Sequence, residues 1–426
     1  MFYIIQGNMN NTFYINSRKK YLESVNEQSV TILFSGNTFQ RSGDQDYPFS
    51  VNRNFYYLTG INQDNVILIL VKSINGIKEY LLIEENDEMM AKWVGMKLTK
   101  EEAKEISGID NILYLNSFDS LVFSLFNSSR KSFEAINTLY LDLERRNNNN
   151  YSSKALKYAK EFKEKYPEVN VENSYVKIIT LRMKKTNEEI EKIQESINVT
   201  KGALENVMSN IKPGLYEYQV ETYYDSYIKF HGQKEKSFET ICATGKNATI
   251  LHYVNNNSVI QDNDLVLFDL GCCTDYYISD ISRTYPANGK FTERQKQIYE
   301  IVLNCNKKCI DFLKPGLTWD EYNKYANSLL IEGLKNIGLI KEDKELIKYY
   351  WHSIGHSIGL DTHDPDVRVL KFEEGMVMTV EPGLYLEDEG IGIRIEDNIL
   401  ITKDGCINLS KDIIKEIDEI EKFMKK

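Results

Sequence analysis

An internal repeat is the feature that most limits what this chain can fold into. KPGLYEYQVETYYDSYIKFHGQ, starting at Lys212, is echoed by KPGLTWDEYNKYANSLLIEGLKNIG, starting at Lys314, an offset of 102 residues. After each copy comes an extended stretch bearing histidine, then two strand-like segments carrying one acid each. In the first copy these are His252, Asp269 and Asp280; in the second they are His363, Glu381 and Glu396, with His352 and His356 added. From histidine to first acid is 17 residues in one copy and 18 in the other. Such a pattern predicts one domain of two related halves, each offering two carboxylates from paired strands.

Side-chain alternation along a strand decides where these acids point. In DLVLFDLG, Leu265, Leu267 and Asp269 share a face; in YYISDISRT so do Ile278, Asp280 and Ser282. A hairpin turning at Thr274-Asp275 sets Asp269 directly opposite Asp280, with Cβ atoms roughly 4.5–5.5 Å apart. Glu381 in MVMTVEPG faces Glu396 in IGIRIEDN about a turn at Asp388-Glu389-Gly390, with Arg394 on the face of Glu396. Taken singly, each acid reads as a surface or hairpin-edge charge. Four on mostly apolar strands are unfavourable unless protons or cations intervene. Two divalent ions neutralise them, and four carboxylates with one imidazole make a hard, oxygen-rich ligand set. It suits Mn2+, Fe2+, Co2+ or Zn2+ rather than a thiolate-bound structural zinc.

Composition narrows the partners. The chain has 426 residues, enough for two or three domains, and at 42% hydrophobic and 27% charged it reads as an ordinary soluble globular protein. A net charge of −11 disfavours nucleic acid and anionic membrane as partners. The longest apolar run, VILILV at 66–71, is far short of a membrane span. MFYIIQGNMNNTFYINSRKK at the N-terminus shows no secretory signal pattern, so a cytoplasmic location is expected. The six cysteines (242, 272, 273, 305, 309 and 406) form no CxxC pair and read as reduced structural thiols. There are only five histidines, and three of them (352, 356, 363) fall within twelve residues; His231 stands outside every motif and reads as structural.

The first ~172 residues alternate strand-like and helix-like stretches. NVILILV (65–71) and EYLLIEE (79–85) flank an Asn75-Gly76 turn, a hairpin signal. Thr99 with Glu102 forms a capping box for a helix over 100–107, and RRNNNNYSS (145–153) reads as a surface loop. A helix to about Tyr166 and a strand in VNVEN follow, giving domains 1–172 and 173–426. The second opens with a long helix that Thr186 caps, Glu189 closes and Lys212-Pro213-Gly214 ends.

Several motifs resemble the metal-binding series of the pita-bread metallopeptidases, the family of aminopeptidase P, prolidase and methionine aminopeptidase. They are LHYVNN (251–256), FDLGCCTDYYISDISRTYP (268–286), GHSIGLDTHD (355–364), TVEPGLY (379–385) and GIGIRIEDNILIT (390–402). The resemblance covers residues 175–410 and implies an α+β architecture: a C-terminal pita-bread domain with an internal pseudo-two-fold repeat, preceded by a creatinase-like α/β domain. It implies Asp269, Asp280, His356, Glu381 and Glu396 as ligands of two divalent ions, with Asp280 and Glu396 bridging. His252 would contact the scissile carbonyl or its tetrahedral intermediate, and His363 the substrate around the scissile bond. His352 and Tyr385 would line the pocket, and Arg394 would hold the bridging acid or the substrate. A hydroxide shared by the two ions would attack the peptide carbonyl, and Glu381 would pass the proton to the leaving amine.

The N-terminal half narrows the substrate. SGDQDYPFSVNRNFYYLTGINQ (42–63) resembles the N-terminal domain of bacterial aminopeptidase P, and KWVGMKLTKEEAKEISGID (92–110) resembles a WxGxR segment of that domain, with Trp93 kept. Ser50-Val51 stand where Arg-Gln is common, and Met96-Lys97 replace Pro-Arg. On residue type alone, Trp93 reads as a core or domain-interface aromatic. The resemblance points to removal of the residue preceding a proline at the second position of a peptide, with Mn2+ as the favoured ion and a homodimer or tetramer as the assembly. Two alternatives stand beside it: a prolidase restricted to Xaa-Pro dipeptides, and a non-catalytic or creatinase-like metal-free member.

Overall fold

A computed structural model describes residues 9–127, 136–145, 153–233, 235–368 and 370–425. Most of the low-complexity stretch 145–153, and the N-terminal residues 1–8, lie outside them. The chain divides into two compact units, Met1–Arg182 and Met183–Lys426, with helices and sheets in both. No helix of the described residues is long and apolar enough to cross a membrane.

The first unit is built on a mixed sheet of six strands: β1 (Ser29–Phe34), β2 (Ile67–Ser73), β3 (Gly76–Ile83), β4 (Asn111–Tyr114), β5 (Thr138–Leu141) and β6 (Asn170–Asn173). Their spatial order is β4-β3-β2-β1-β5-β6. The three central strands pair antiparallel and the outer ones parallel. The expected hairpin is β2–β3: Ser73 pairs with Gly76 about Ile74-Asn75, and Gly76 takes the positive φ of 113° that the turn requires. Val30, Ile32, Ile69, Val71, Leu82 and Leu139 point into one core beneath α2 (Lys154–Lys165), and the helix α1 (Lys100–Ser107) carries the expected Thr99/Glu102 capping box. Trp93 is 80% exposed, so it is no core residue of this unit. It sits on the short helix Glu88–Val94, none of whose residues is buried. Lys97 pairs its ammonium with Glu84 and Asp64.

The second unit carries the repeat. Each copy contributes a helix before its KPG turn and one after it: α3 (Asn187–Asn210) and α4 (Glu217–Phe230), then α5 (Glu293–Phe312) and α6 (Trp319–Asn336). Gly214 and Gly316 hold φ of +87° and +92° with open space where a Cβ would stand, so the turn needs glycine for its backbone alone. The strands of the first copy are β7 (Ile241–Thr244), β8 (Leu265–Leu270), the short pair β9 (Cys273–Thr274) and β10 (Tyr277–Ile278), and β11 (Ile281–Pro286). Those of the second are β12 (Val377–Val380), β13 (Gly383–Leu386), β14 (Ile391–Arg394), β15 (Asp397–Ile401) and β16 (Cys406–Asn408). Each copy forms a three-stranded sheet, centred on β8 in one and β15 in the other.

The two hairpin registers differ in outcome. Around β13–β14, Gly383 pairs with Arg394 and Leu386 with Ile391, as the second-copy turn predicts. In the first copy Asp269 lies opposite Ser282, not Asp280. The turn there is Asp275-Tyr276, both at positive φ (50° and 68°), one residue later than expected, and that moves every pairing by two. Asp280 therefore sits just ahead of β11, where a side chain from the second copy can hold it.

Candidate metal centre

Hydrogen bonds join the two copies inside the second unit and bring their acids together. The Ser282 carbonyl accepts the Glu396 N–H at 3.0 Å, and Asn398 grips both backbone groups of Asp280, accepting its N–H at 3.1 Å and donating to its C=O at 2.6 Å. Asn306, on α5, donates to the carbonyls of Val380 and Ile395, the residues just before Glu381 and Glu396. Histidine arrives on an extended segment beside β12: Thr379 N–H donates to the His356 carbonyl at 2.9 Å, and Glu381 N–H to that of Ile354 at 2.8 Å. A Cβ on Gly355 would stand 2.1 Å from the Thr379 oxygen, so only glycine permits this approach.

Asp280, His356 and Glu396 offer ligand atoms that all lie within 4.8 Å of one another. His356 Nε2 is 3.4 Å from Asp280 Oδ2 and 3.6 Å from Glu381 Oε1. Asp269 joins through Arg394, whose Nη2 donates to its Oδ2 at 2.6 Å. Arg394 also donates through Nε to the Ser282 hydroxyl (2.7 Å) and through Nη1 to the Tyr385 hydroxyl (3.1 Å), and Ser282 in turn donates to Glu396 Oε2 at 2.8 Å. Arg394 thus holds Asp269 directly and Glu396, the acid expected to bridge, only through Ser282. Tyr385 meets His352 Nε2 at 2.9 Å, and His352 Nδ1 is 3.8 Å from Glu381 Oε2. His363 packs edge-on to His356, ring centroids 4.2 Å apart. His252 is close enough to His352 and His363 to press on the charge of both. Asp280, Glu396, Arg394 and Tyr385 form a buried floor, while His252 and His363 stand exposed at the rim. His231 is elsewhere, stacked on Tyr227 at the end of α4.

Burial makes this concentration of charge unfavourable. It pushes the Asp269 carboxyl up to about 6 against the pull of Arg394, and Glu381 up to about 7 against His356 and Arg394. Glu396 is raised well above the carboxylate range by burial and by Asp280, Glu381 and Asp269. His356 is carried up to about 9, because Asp280 and Glu381 together outweigh a burial that alone would lower it. His352 falls to about 4 through burial and the nearby Arg394. Among the described residues Arg394 and a protonated His356 face four acids, and Asp269 Oδ1 is buried with no hydrogen-bond partner. That orphaned oxygen, the excess of acid and the hard donor set all fit divalent cations. Ser282, Asn398 and Asn306 were not foreseen as site residues. Ser282 shares a strand face with Asp280 and so carried a signal, whereas Asn306 lies on a helix with none.

Residues 191–403 match the model of metallopeptidase family M24, and residues 14–133 that of the aminopeptidase P N-terminal domain. The chain is 32% identical to the Xaa-Pro aminopeptidase of Escherichia coli, covering 96% of each, and 31% identical to human Xaa-Pro aminopeptidase 3, covering 94% of this chain and 82% of that one. Among solved structures, a Bacillus anthracis protein described as an aminopeptidase P superposes with a TM-score of 0.95 at 49% identity, over 98% of this chain and 99% of that one. The E. coli aminopeptidase P with the inhibitor Pro-Leu gives 0.89 at 30% identity, with the same coverage. The α+β architecture, an aminopeptidase P type of domain followed by a pita-bread domain, is therefore as expected.

Proposed function

This chain belongs to metallopeptidase family M24 and carries an aminopeptidase P type of N-terminal domain, and from that premise we propose that it is a metal-dependent Xaa-Pro aminopeptidase. The observation that carries the reading is the grouping of Asp280, His356 and Glu396, with Glu381 3.6 Å from His356 and Asp269 held by Arg394, in a chain whose relatives of that name match it over nearly its full length. Asp269, Asp280, His356, Glu381 and Glu396 would hold two divalent ions, Asp280 and Glu396 being shared between them. Mn2+ is the favoured metal, and Co2+, Fe2+ or Zn2+ suit the same donors. When bound, such ions supply Lewis acidity and make water a nucleophile near neutral pH.

The protein's own groups do the rest. His252, at the rim, donates to the scissile carbonyl oxygen as it gains negative charge, and His363 beside it orients the peptide about the scissile bond. Glu381 takes a proton from the attacking water and delivers it to the proline nitrogen as the C–N bond breaks. Arg394 holds Asp269 and Tyr385 in place, and Tyr385 with His352 lines the wall beside Glu381. A cytoplasmic location is part of this reading, supported by six free thiols; so is a homodimer or tetramer, supported by the exposed Met89, Met90, Trp93, Val94 and Met96.

The test is mass spectrometry of products from Xaa-Pro dipeptides, longer Xaa-Pro peptides and Met-Ala peptides with Mn2+. Release of the first residue from the longer Xaa-Pro peptides, with Met-Ala peptides left intact, is expected. Cleavage confined to dipeptides would instead assign a prolidase.

A further inference from the structure

The first residue of the helix after each KPG turn has a task that the mechanism above does not use. Glu217 opens α4 and is completely buried. Its Oε1 accepts the Thr244 N–H at 2.7 Å and Asn247 Nδ2 at 3.0 Å; its Oε2 accepts the Tyr253 hydroxyl at 2.7 Å and the Ser258 N–H at 2.8 Å. All four donors belong to the segment 244–258, which carries His252. The equivalent position in the second copy, 102 residues on, is Trp319, which opens α6 and is 6% exposed. Its indole N–H donates to Asp366 Oδ2 at 3.1 Å, and the same oxygen accepts the Ser357 hydroxyl at 2.9 Å. Ser357 follows His356, and Asp366 lies just past His363.

One turn further, the correspondence repeats. Glu221 Oε2 accepts Asn256 Nδ2 at 2.9 Å, and Asn323 Oδ1 accepts the Ile354 N–H at 2.8 Å, midway between His352 and His356.

We infer that Glu217 and Trp319 are equivalent positioning residues, fixing the loops of His252 and His363 with the direction of hydrogen bonding reversed between the copies. A buried carboxylate persists only if its oxygens are satisfied, so four converging donors leave the 244–258 segment one arrangement. In the second copy the helix end supplies a donor, and the loop supplies the carboxylate. Neither residue belongs to the set that would meet substrate or metal; each acts through a rim histidine. The inference rests on the function proposed above, in that it takes those histidines to contact the peptide.

Trp319→Phe removes the N–H but keeps a ring against Phe372, now 5.0 Å away between centroids. Glu217→Gln keeps the volume and turns one acceptor into a donor facing donors. On the metal-free full-length chain, hydrogen exchange followed by mass spectrometry should quicken about fivefold or more at 361–366 in Trp319→Phe, with 244–258 unchanged, and the reverse in Glu217→Gln. On an Xaa-Pro peptide with Mn2+, each variant should lower kcat roughly tenfold at nearly constant KM. In the His363→Ala or His252→Ala background, respectively, that loss should vanish. Equal exchange in both loops, or a full further loss without the histidine, overturns the assignment. If Glu217→Gln does not fold, Tyr253→Phe, which deletes one of its four donors, replaces it. A wild-type chain that cleaves no Xaa-Pro peptide would sink the proposed function, while the exchange result would still decide the positioning role.

Discussion

Arg394 cannot become lysine without losing partners. Its planar fork reaches Asp269, Ser282 and Tyr385 at once, and a single ammonium does not span three acceptors. Arg394→Lys should lower kcat/KM roughly a hundredfold with circular dichroism unchanged, since misplacement near a reacting centre is felt in rate before fold. Wild-type kinetics in that variant would remove the arginine from the machinery. Asp269→Asn keeps the shape but not the charge; it should abolish metal-dependent hydrolysis, and full activity on the same peptides would sink Asp269 as a ligand. At this scale the sequence was legible where chemistry is written in residue type: acids, histidines and Arg394. It was illegible where backbone conformation decides. A positive φ at Tyr276 has no local signature, and with that of Asp275 it makes the turn that sets Asp269 against Ser282 rather than Asp280.

The helix Asn187–Asn210 shows what an element hides. Its capping box, Thr186 with Glu189, is readable because both partners are three residues apart. That Glu189 is buried is not readable, because its other partner, the Tyr277 hydroxyl at 3.0 Å, comes from far along the chain. Burial pushes the Glu189 carboxyl up to about 7, against the Thr186 N–H, Lys185 and Tyr277. A folded pKa above the unfolded value means that the group's contribution to stability is fully present below about pH 4.5 and is lost as pH rises through 7. Glu189→Gln keeps an acceptor and removes the titration. It should flatten the fall in stability between pH 5 and 8, a difference of about 2–3 kcal/mol by the linkage relation. Denaturant midpoints at both pH values check it; parallel curves for the two proteins would refute it.

For the whole molecule, cation binding and folding are linked. An ion that binds the folded centre and not the unfolded chain stabilises by about 2.7 kcal/mol at a hundredfold excess over Kd. Thermal scans should therefore show Tm rising with Mn2+ and falling with chelator, and Asp269→Asn should lose most of that response. A wild-type Tm indifferent to Mn2+ would count against the centre. The repeat in the sequence anticipated the two-half plan, since its turns and acids are local marks. It could not anticipate how the halves are joined, because Asn398 with Asp280 and Ser282 with Glu396 are meetings between residues more than a hundred apart. On the proposed ligand set, that joint means neither half owns a complete centre: each brings two acids and borrows the rest. A chain severed between the repeats would keep its chemistry while the pieces stayed paired and lose all of it when they parted. Such a centre would in effect register its own assembly and fall silent in any fragment.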